Sequence, residues 1–257
     1  MGRLALALAP LVAALAAPSA VAQTPPGRPD WAANVAAAKR YAAARAGRES
    51  FALVDETGRL RGRLVSRVYP SASVLKAMLL VAYLNERSVR GRALRADERN
   101  RLEPMIRWSA NEPATEFVRL LGRRPLDRLA LHGGMDHFRL VVSPWGYSEI
   151  TARGQARYFR RIFRLTASRH RPYARQLLNT VVPAQRWGIP PAKPPGWRIY
   201  LKGGWGIGTG WITNQVALLE RGRRRVSLAV LTRDNPSHTY GTDTIEGIAS
   251  RLLRGLR

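Results

Sequence analysis

The run from Ala72 to Leu84, ASVLKAMLLVAYL, constrains this chain more than any other segment, because it is apolar on nearly every face of a helix yet carries a lysine. A helix that is apolar all round belongs in the middle of a protein. Burying an ammonium there is costly unless it is paired or loses its proton. Positions three apart share one helical face, so Lys76 stands over Ser73 at the helix start, where backbone N–H groups point outward. An amine beside a hydroxyl in that setting can make the serine nucleophilic. The competing reading is a capping serine followed by a lysine that snorkels to the surface.

Composition sharpens the point. The net charge of +26 comes from 39 arginines and only 4 lysines. Arginine keeps its proton, whereas a buried lysine can lose it. In a chain that otherwise uses arginine for positive charge, Lys76 and Lys202 call for a chemical explanation. The arginines are spread along the whole length, apart from Arg221, Arg223, Arg224 and Arg225 at an expected hairpin turn. No aromatic stacking motif or recognition-helix pattern accompanies them, so nucleic acid is not an expected partner. A solvated basic surface, attracted to anionic cell-envelope polymers, is the expectation.

The first 22 residues read as a secretory signal: Arg3, an apolar stretch from Leu4 to Ala17, and a small-residue cleavage site at Ala20-Val21-Ala22. An uncleaved N-terminal anchor is the rival reading. Residues 23–29 read as a flexible leader, and residues 30–257 as a single domain in two lobes, expected to be monomeric and secreted or periplasmic, with no stable membrane span after cleavage. The chain lacks cysteine, and His132, His137, His170 and His238 show no zinc spacing, so neither a metal nor a cofactor is expected.

Helices are expected over Asp30–Arg45, Ser73–Glu86, Ala96–Trp108, from about Pro113, over Arg124–Leu131, Thr151–Leu165, Pro172–Val182 and Asp243–Leu256. Phe51–Val54 and Leu60–Val68 form a candidate hairpin about Glu56-Thr57-Gly58, and Trp197–Lys202, Ile212–Glu220 and Val226–Thr232 read as three late strands. The fold class is therefore α/β (α+β): an antiparallel sheet formed by both termini beside a helical lobe.

Two later fragments complete a pattern. Ser109-Ala110-Asn111 follows a helix, and Lys202-Gly203-Gly204 ends a strand. The order Ser-x-x-Lys, Ser-x-Asn, Lys-x-Gly resembles the penicillin-binding serine hydrolases, which include class A β-lactamases and the D,D-peptidases of the cell wall. The likeness extends to Tyr69-Pro70-x-Ala72-Ser73 and the terminal elements, and so to nearly the whole chain after the leader. It implies a β-lactamase/transpeptidase-like fold and an acyl-enzyme on Ser73, with Lys76 accepting the serine's proton. It further implies an oxyanion hole from the backbone N–H groups of Ser73 and Trp205, with Gly203 and Gly204 bordering the substrate. By the same resemblance Ser109 relays a proton to the leaving nitrogen, Asn111 holds the substrate amide and Lys76, and Lys202 attracts a substrate carboxylate. The implied substrate is a β-lactam or a peptide-like small molecule. A D,D-peptidase-like enzyme, or a non-catalytic protein binding envelope polymers, remains the alternative. Residue by residue, Ser109 and Asn111 could instead cap the following helix, and Lys202 could be a surface lysine.

Departures from the family pattern accompany these matches. Ala110 stands where class A enzymes usually have Asp, and Gly203 where a Thr or Ser hydroxyl normally helps bind the carboxylate. The Lys76–Ser109 interval is short, which suggests a missing cleft wall. The deacylating glutamate has one nearby counterpart, Glu149, which comes too late before Thr151 and lacks the usual context. Deacylation is accordingly expected to be slow. His132-Gly133-Gly134 lacks the Gly-x-Ser-x-Gly elbow that would make it an oxyanion segment, and the alternating glycines 204–210 read as a hairpin loop flanking the cleft.

Overall fold

The computed structural model describes residues 1–2, 29–206 and 211–257. The expected signal segment and leader, apart from Met1, Gly2 and Pro29, lie outside the described residues, as does the tip of the glycine loop. Asp30 opens helix α1 (Trp31–Ala43) by accepting a hydrogen bond from Ala33 N at 3.0 Å. Strands β1 (Arg48–Val54), β2 (Leu60–Arg63) and β3 (Val68–Pro70) follow, and a single 3₁₀ turn, Ala72–Val74, runs straight into α2 (Leu75–Leu84). Helices α3 (Ala96–Arg107), α4 (Asn111–Leu121) and α5 (Arg123–Gly133) come next, then β4 (Phe138–Arg139), β5 (Glu149–Thr151), α6 (Ala152–Leu165) and α7 (Arg171–Asn179). The chain closes with β6 (Arg198–Gly206), β7 (Trp211–Arg221), β8 (Arg224–Asn235) and α8 (His238–Leu252).

Five strands form one antiparallel sheet in the order β2-β1-β8-β7-β6, and β3, β5 and β4 form a small second sheet. Both faces of the large sheet are covered. Along β7, Ala217 and Leu219 pack in one core with α1 and α8, while Val216 and Leu218 pack in the other with α2 to α6. Burial on both faces is why the late strands read as continuous apolar runs. All ten residues of α2 are buried, which places this helix at the centre of the helical side.

Several boundaries differ from the sequence expectation, and two have a clear local cause. The strand expected over Leu60–Val68 stops at Arg63, because Leu64 has φ 48° and turns the chain (Arg67 N to Leu64 O, 3.0 Å), and Val68 then joins the small sheet. The last helix begins at His238, capped by Ser237 Oγ accepting from Tyr240 N at 3.0 Å, not at Asp243. A Cβ on Gly241, within this helix, would lie 2.4 Å from Thr213 Oγ1, so the glycine is a close contact between helix and sheet.

Leu79 is fully buried in the helical core. Leu79→Ala is expected to cost about 2–5 kcal/mol in chemical denaturation. Leu131→Ala, at a site 75% exposed, should stay within about 0.5 kcal/mol.

Candidate active site

Ser73 sits in the 3₁₀ turn that leads α2, 8% exposed at the floor of a cleft of about 330 Å³, with Lys76 one turn on and wholly buried. Ala72, immediately before the serine, has φ 44°, a conformation rarely held by a residue with a side chain and concentrated at functional sites. The turn is pinned from two sides. Ser71 N donates to Ser148 O at 2.7 Å, and Asn214 Nδ2 in β7 donates to Pro70 O at 2.7 Å while its Oδ1 accepts from Thr232 N at 3.0 Å.

The burial of Lys76 excludes the snorkelling lysine. Its amine donates to Asn111 Oδ1 at 2.8 Å and to the Ser109 carbonyl, lies 3.2 Å from Ser109 Oγ, and stands 5.1 Å from the Trp145 ring centroid. No carboxylate is among these partners, and burial pulls the Lys76 pKa from 10.5 down to about 7. Ser109 and Asn111 flank the start of α4. That helix begins at Asn111, earlier than Pro113, with Ala110 as its cap residue and no side-chain cap bond, so the capping reading of both residues fails. Ser109 has φ 62°, which turns its carbonyl toward Lys76 while its hydroxyl meets a second amine.

That second amine is Lys202, on edge strand β6 and wholly buried rather than on the surface. Its Nζ donates to Ser109 Oγ at 2.9 Å and to Gly203 O at 2.8 Å. Burial first, and the charge of Lys76 second, hold Lys202 well below the ordinary lysine value. Ser109 Oγ thus lies between two lysine amines. Further along β6, a Cβ on Gly204 would lie 2.5 Å from Ser73 N, so only glycine lets this strand approach the serine's backbone. Trp205 follows it at the cleft edge, 37% exposed.

Glu149 lies in β5, and its carboxylate is bound by Arg139 and by His137 Nε2 at 2.9 Å. The Arg139 hydrogen bond is the main cause of its low pKa of about 2, and such a carboxylate is a poor base. It does not line the cleft; among the described lining residues there is no Asp or Glu. The opposite wall is built from Pro144 to Tyr147, with Trp145 Nε1 donating to Thr115 Oγ1 at 3.0 Å.

The departure at Gly203 has a steric cause. A Cβ there would lie 2.8 Å from the Trp187 indole, which stands edge-on to Trp205 and His238. Trp187 is held by Gln215, which pairs with Gly203 across the ladder, donates to Trp187 O at 2.6 Å and accepts from Ile189 N at 2.6 Å. Sequence reasoning missed Trp187, Trp145, Asn214 and Gln215. The signal for the last two was present, because Thr213-Asn214-Gln215 places three polar residues in succession in a buried strand.

The sequence profile of the β-lactamase enzyme family matches residues 99–256, more than half of the chain. The chain belongs to that family. It is accordingly a β-lactamase-like serine hydrolase with the mixed α/β fold of class A enzymes. The β-lactamase of Sphaerobacter thermophilus superimposes with TM-score 0.72 at 18% identity, covering 88% of this chain and 97% of that one. A β-lactamase from Xanthomonas campestris gives 0.73 at 18%, covering 87% and 97%, and the class A β-lactamase of Mycobacterium abscessus 0.71 at 19%, covering 86% and 98%. No curated protein matches the sequence significantly.

Gly203→Thr should lower the thermal midpoint, because its side chain meets the indole. In a Trp187→Ala background the same substitution should cost much less, a coupling read by a double-mutant cycle. Equal costs in both backgrounds would show that Trp187 does not exclude the side chain.

Proposed function

We propose that the enzyme is exported and is acylated at Ser73 by β-lactams or related amides, forming an ester that hydrolyses slowly. The observation that carries this reading is the Ser109 hydroxyl lying 3.2 Å from Lys76 Nζ and 2.9 Å from Lys202 Nζ, with Ser73 lining the cleft one helical turn before Lys76. With its pKa pulled down to about 7, Lys76 has a neutral form at neutral pH that can accept the Ser73 proton. Ser73 Oγ then bonds to the carbonyl carbon, and the backbone N–H groups of Ser73 and Trp205 meet the developing oxyanion. As the carbon–nitrogen bond breaks, the proton passes from Lys76 through Ser109 to the leaving nitrogen. Asn111 orients Lys76 and the substrate amide. Lys202 polarises Ser109 and offers an attractive charge to an anionic substrate when protonated. Gly203 and Gly204 border the bound acyl group.

Slow deacylation rests on the carboxylate-free cleft. A water attacking the ester needs a base, and Glu149 is both engaged elsewhere and too acidic to serve. Losing one general base slows a step by about two to four powers of ten. The signal-like start of the sequence supports export, and no described helix is long and apolar enough to cross a membrane.

A fluorescent penicillin, followed by intact-mass measurement, tests the reading. The wild type should gain one adduct that persists for minutes or longer, and Ser73→Ala none. Acylation should rise with pH through about 7 and level off above it, since the neutral amine is the reactive form. Lys76→Arg should lose at least about two powers of ten in acylation, because arginine cannot take the proton. Rapid turnover in the wild type that Glu149→Gln abolishes would overturn the assignment of slow deacylation, and adduct formation by Ser73→Ala would overturn the nucleophile.

A further inference from the structure

A cleft of about 490 Å³, larger than the one that holds Ser73, lies elsewhere on the protein. It is lined by six arginines: Arg157, Arg160, Arg161 and Arg164 from α6, and Arg223 and Arg225 from the β7–β8 turn region. Gly58, in the β1–β2 turn, and Gly134, just past α5, border it. The four α6 arginines fall at i, i+3, i+4 and i+7, which is one helical face, while Ala156, Phe159, Ile162 and Phe163 on the other face are buried. Their row extends about 10 Å along the helix axis, at about 1.5 Å per residue. The cleft lies at the far end of the large sheet from the serine. Thr213 pairs with Trp205 at the catalytic end of β7, and Arg221 pairs with Arg224 at the other, about 26 Å away at roughly 3.3 Å per residue.

The carboxylates around this cleft are already engaged. Asp55 pairs with Arg61, Glu56 with Arg224, and Glu220 with both Arg175 and Arg225. Arg160 has a structural task, donating to Arg225 O and to Glu56 O at 3.0 Å. Arg161 rests against Gly134, at the partly negative C-terminus of α5. Even so, Arg157, Arg161, Arg164 and Arg223 have no ion-pair partner within 4.0 Å among the described residues. Burial, and after it the positive Arg225, hold Arg160 below the ordinary arginine value, against the opposing pull of Asp55 and Glu56.

We propose that this arginine cleft is a binding site for an anion bearing several closely spaced phosphates. Guanidinium groups pair with phosphate through two parallel N–H···O bonds, and a row of them suits a ligand whose charge is extended. The assignment does not rest on the chemistry of Ser73. Either a soluble phosphate chain or the headgroups of an anionic lipid surface supplies such a ligand.

Binding of tripolyphosphate by titration calorimetry, and of phosphatidylglycerol vesicles by co-sedimentation, tests the site across a range of salt concentrations. The cleft variant combines Arg157→Ala, Arg161→Ala and Arg164→Ala. The control combines Arg40→Ala, Arg169→Ala and Arg254→Ala, which removes equal charge from exposed positions outside the cleft. Thermal midpoint and circular dichroism check the fold of both. The cleft variant should lose at least tenfold in affinity for one of the two probes and flatten the salt dependence, while the control should change little. Loss confined to tripolyphosphate assigns the site to a soluble chain, and loss confined to vesicles to a lipid surface. Equal loss in both variants, or no binding by the wild type, would overturn the proposal.

Discussion

Two lysine amines share one serine hydroxyl in the dry centre of this protein, and neither has a carboxylate partner there. Burial there disfavours the protonated form of both amines. Water is kept away by α2, whose ten residues are all buried, and by the sheet packed beside it. The apolar character of that helix is therefore a chemical property as well as a packing one. Desolvation moves Lys76 from the range of a permanent cation to about 7, where it can both take and return a proton. Any substitution that lets water reach Lys76 would move its pKa back toward the ordinary lysine value.

The rest of the site is arranged around holding two chain segments against that helix. Asn214 ties β7 and β8 to Pro70, and Ser148 holds Ser71, so the serine's turn is fixed from the sheet and from the loop wall together. Gly204 then lets the edge strand lie against the serine's own amide. Pairing in the sheet sets these positions, and a side chain one residue out of register would face the other core.

Much of this was legible in the sequence. The Ser73–Lys76 pair announced itself because a lysine in an apolar helix needs a reason, and Ser109, Asn111 and Lys202 were found through chain order and resemblance. The antiparallel sheet built from both termini followed from apolar strand patterns, and its family neighbours share that architecture. What was not legible depends on contacts distant in sequence. Nothing local marks Trp187 as the neighbour of Gly203, or Asn214 as the tie to Pro70. The last helix was expected from Asp243 but begins at His238, with Gly241 inside it lying close against Thr213. Leu64 ended β2 through a backbone conformation that its side chain does not advertise.

The fit between Gly203 and Trp187 bears on the history open to this enzyme. The two positions compete for one volume, so a hydroxyl-bearing side chain at 203 must displace the indole at a cost in stability, and shrinking the indole alone leaves a void beside the cleft. Each single step is penalised, which separates this form from the hydroxyl-bearing one. Gln215, which clamps the loop carrying Trp187, deepens that separation.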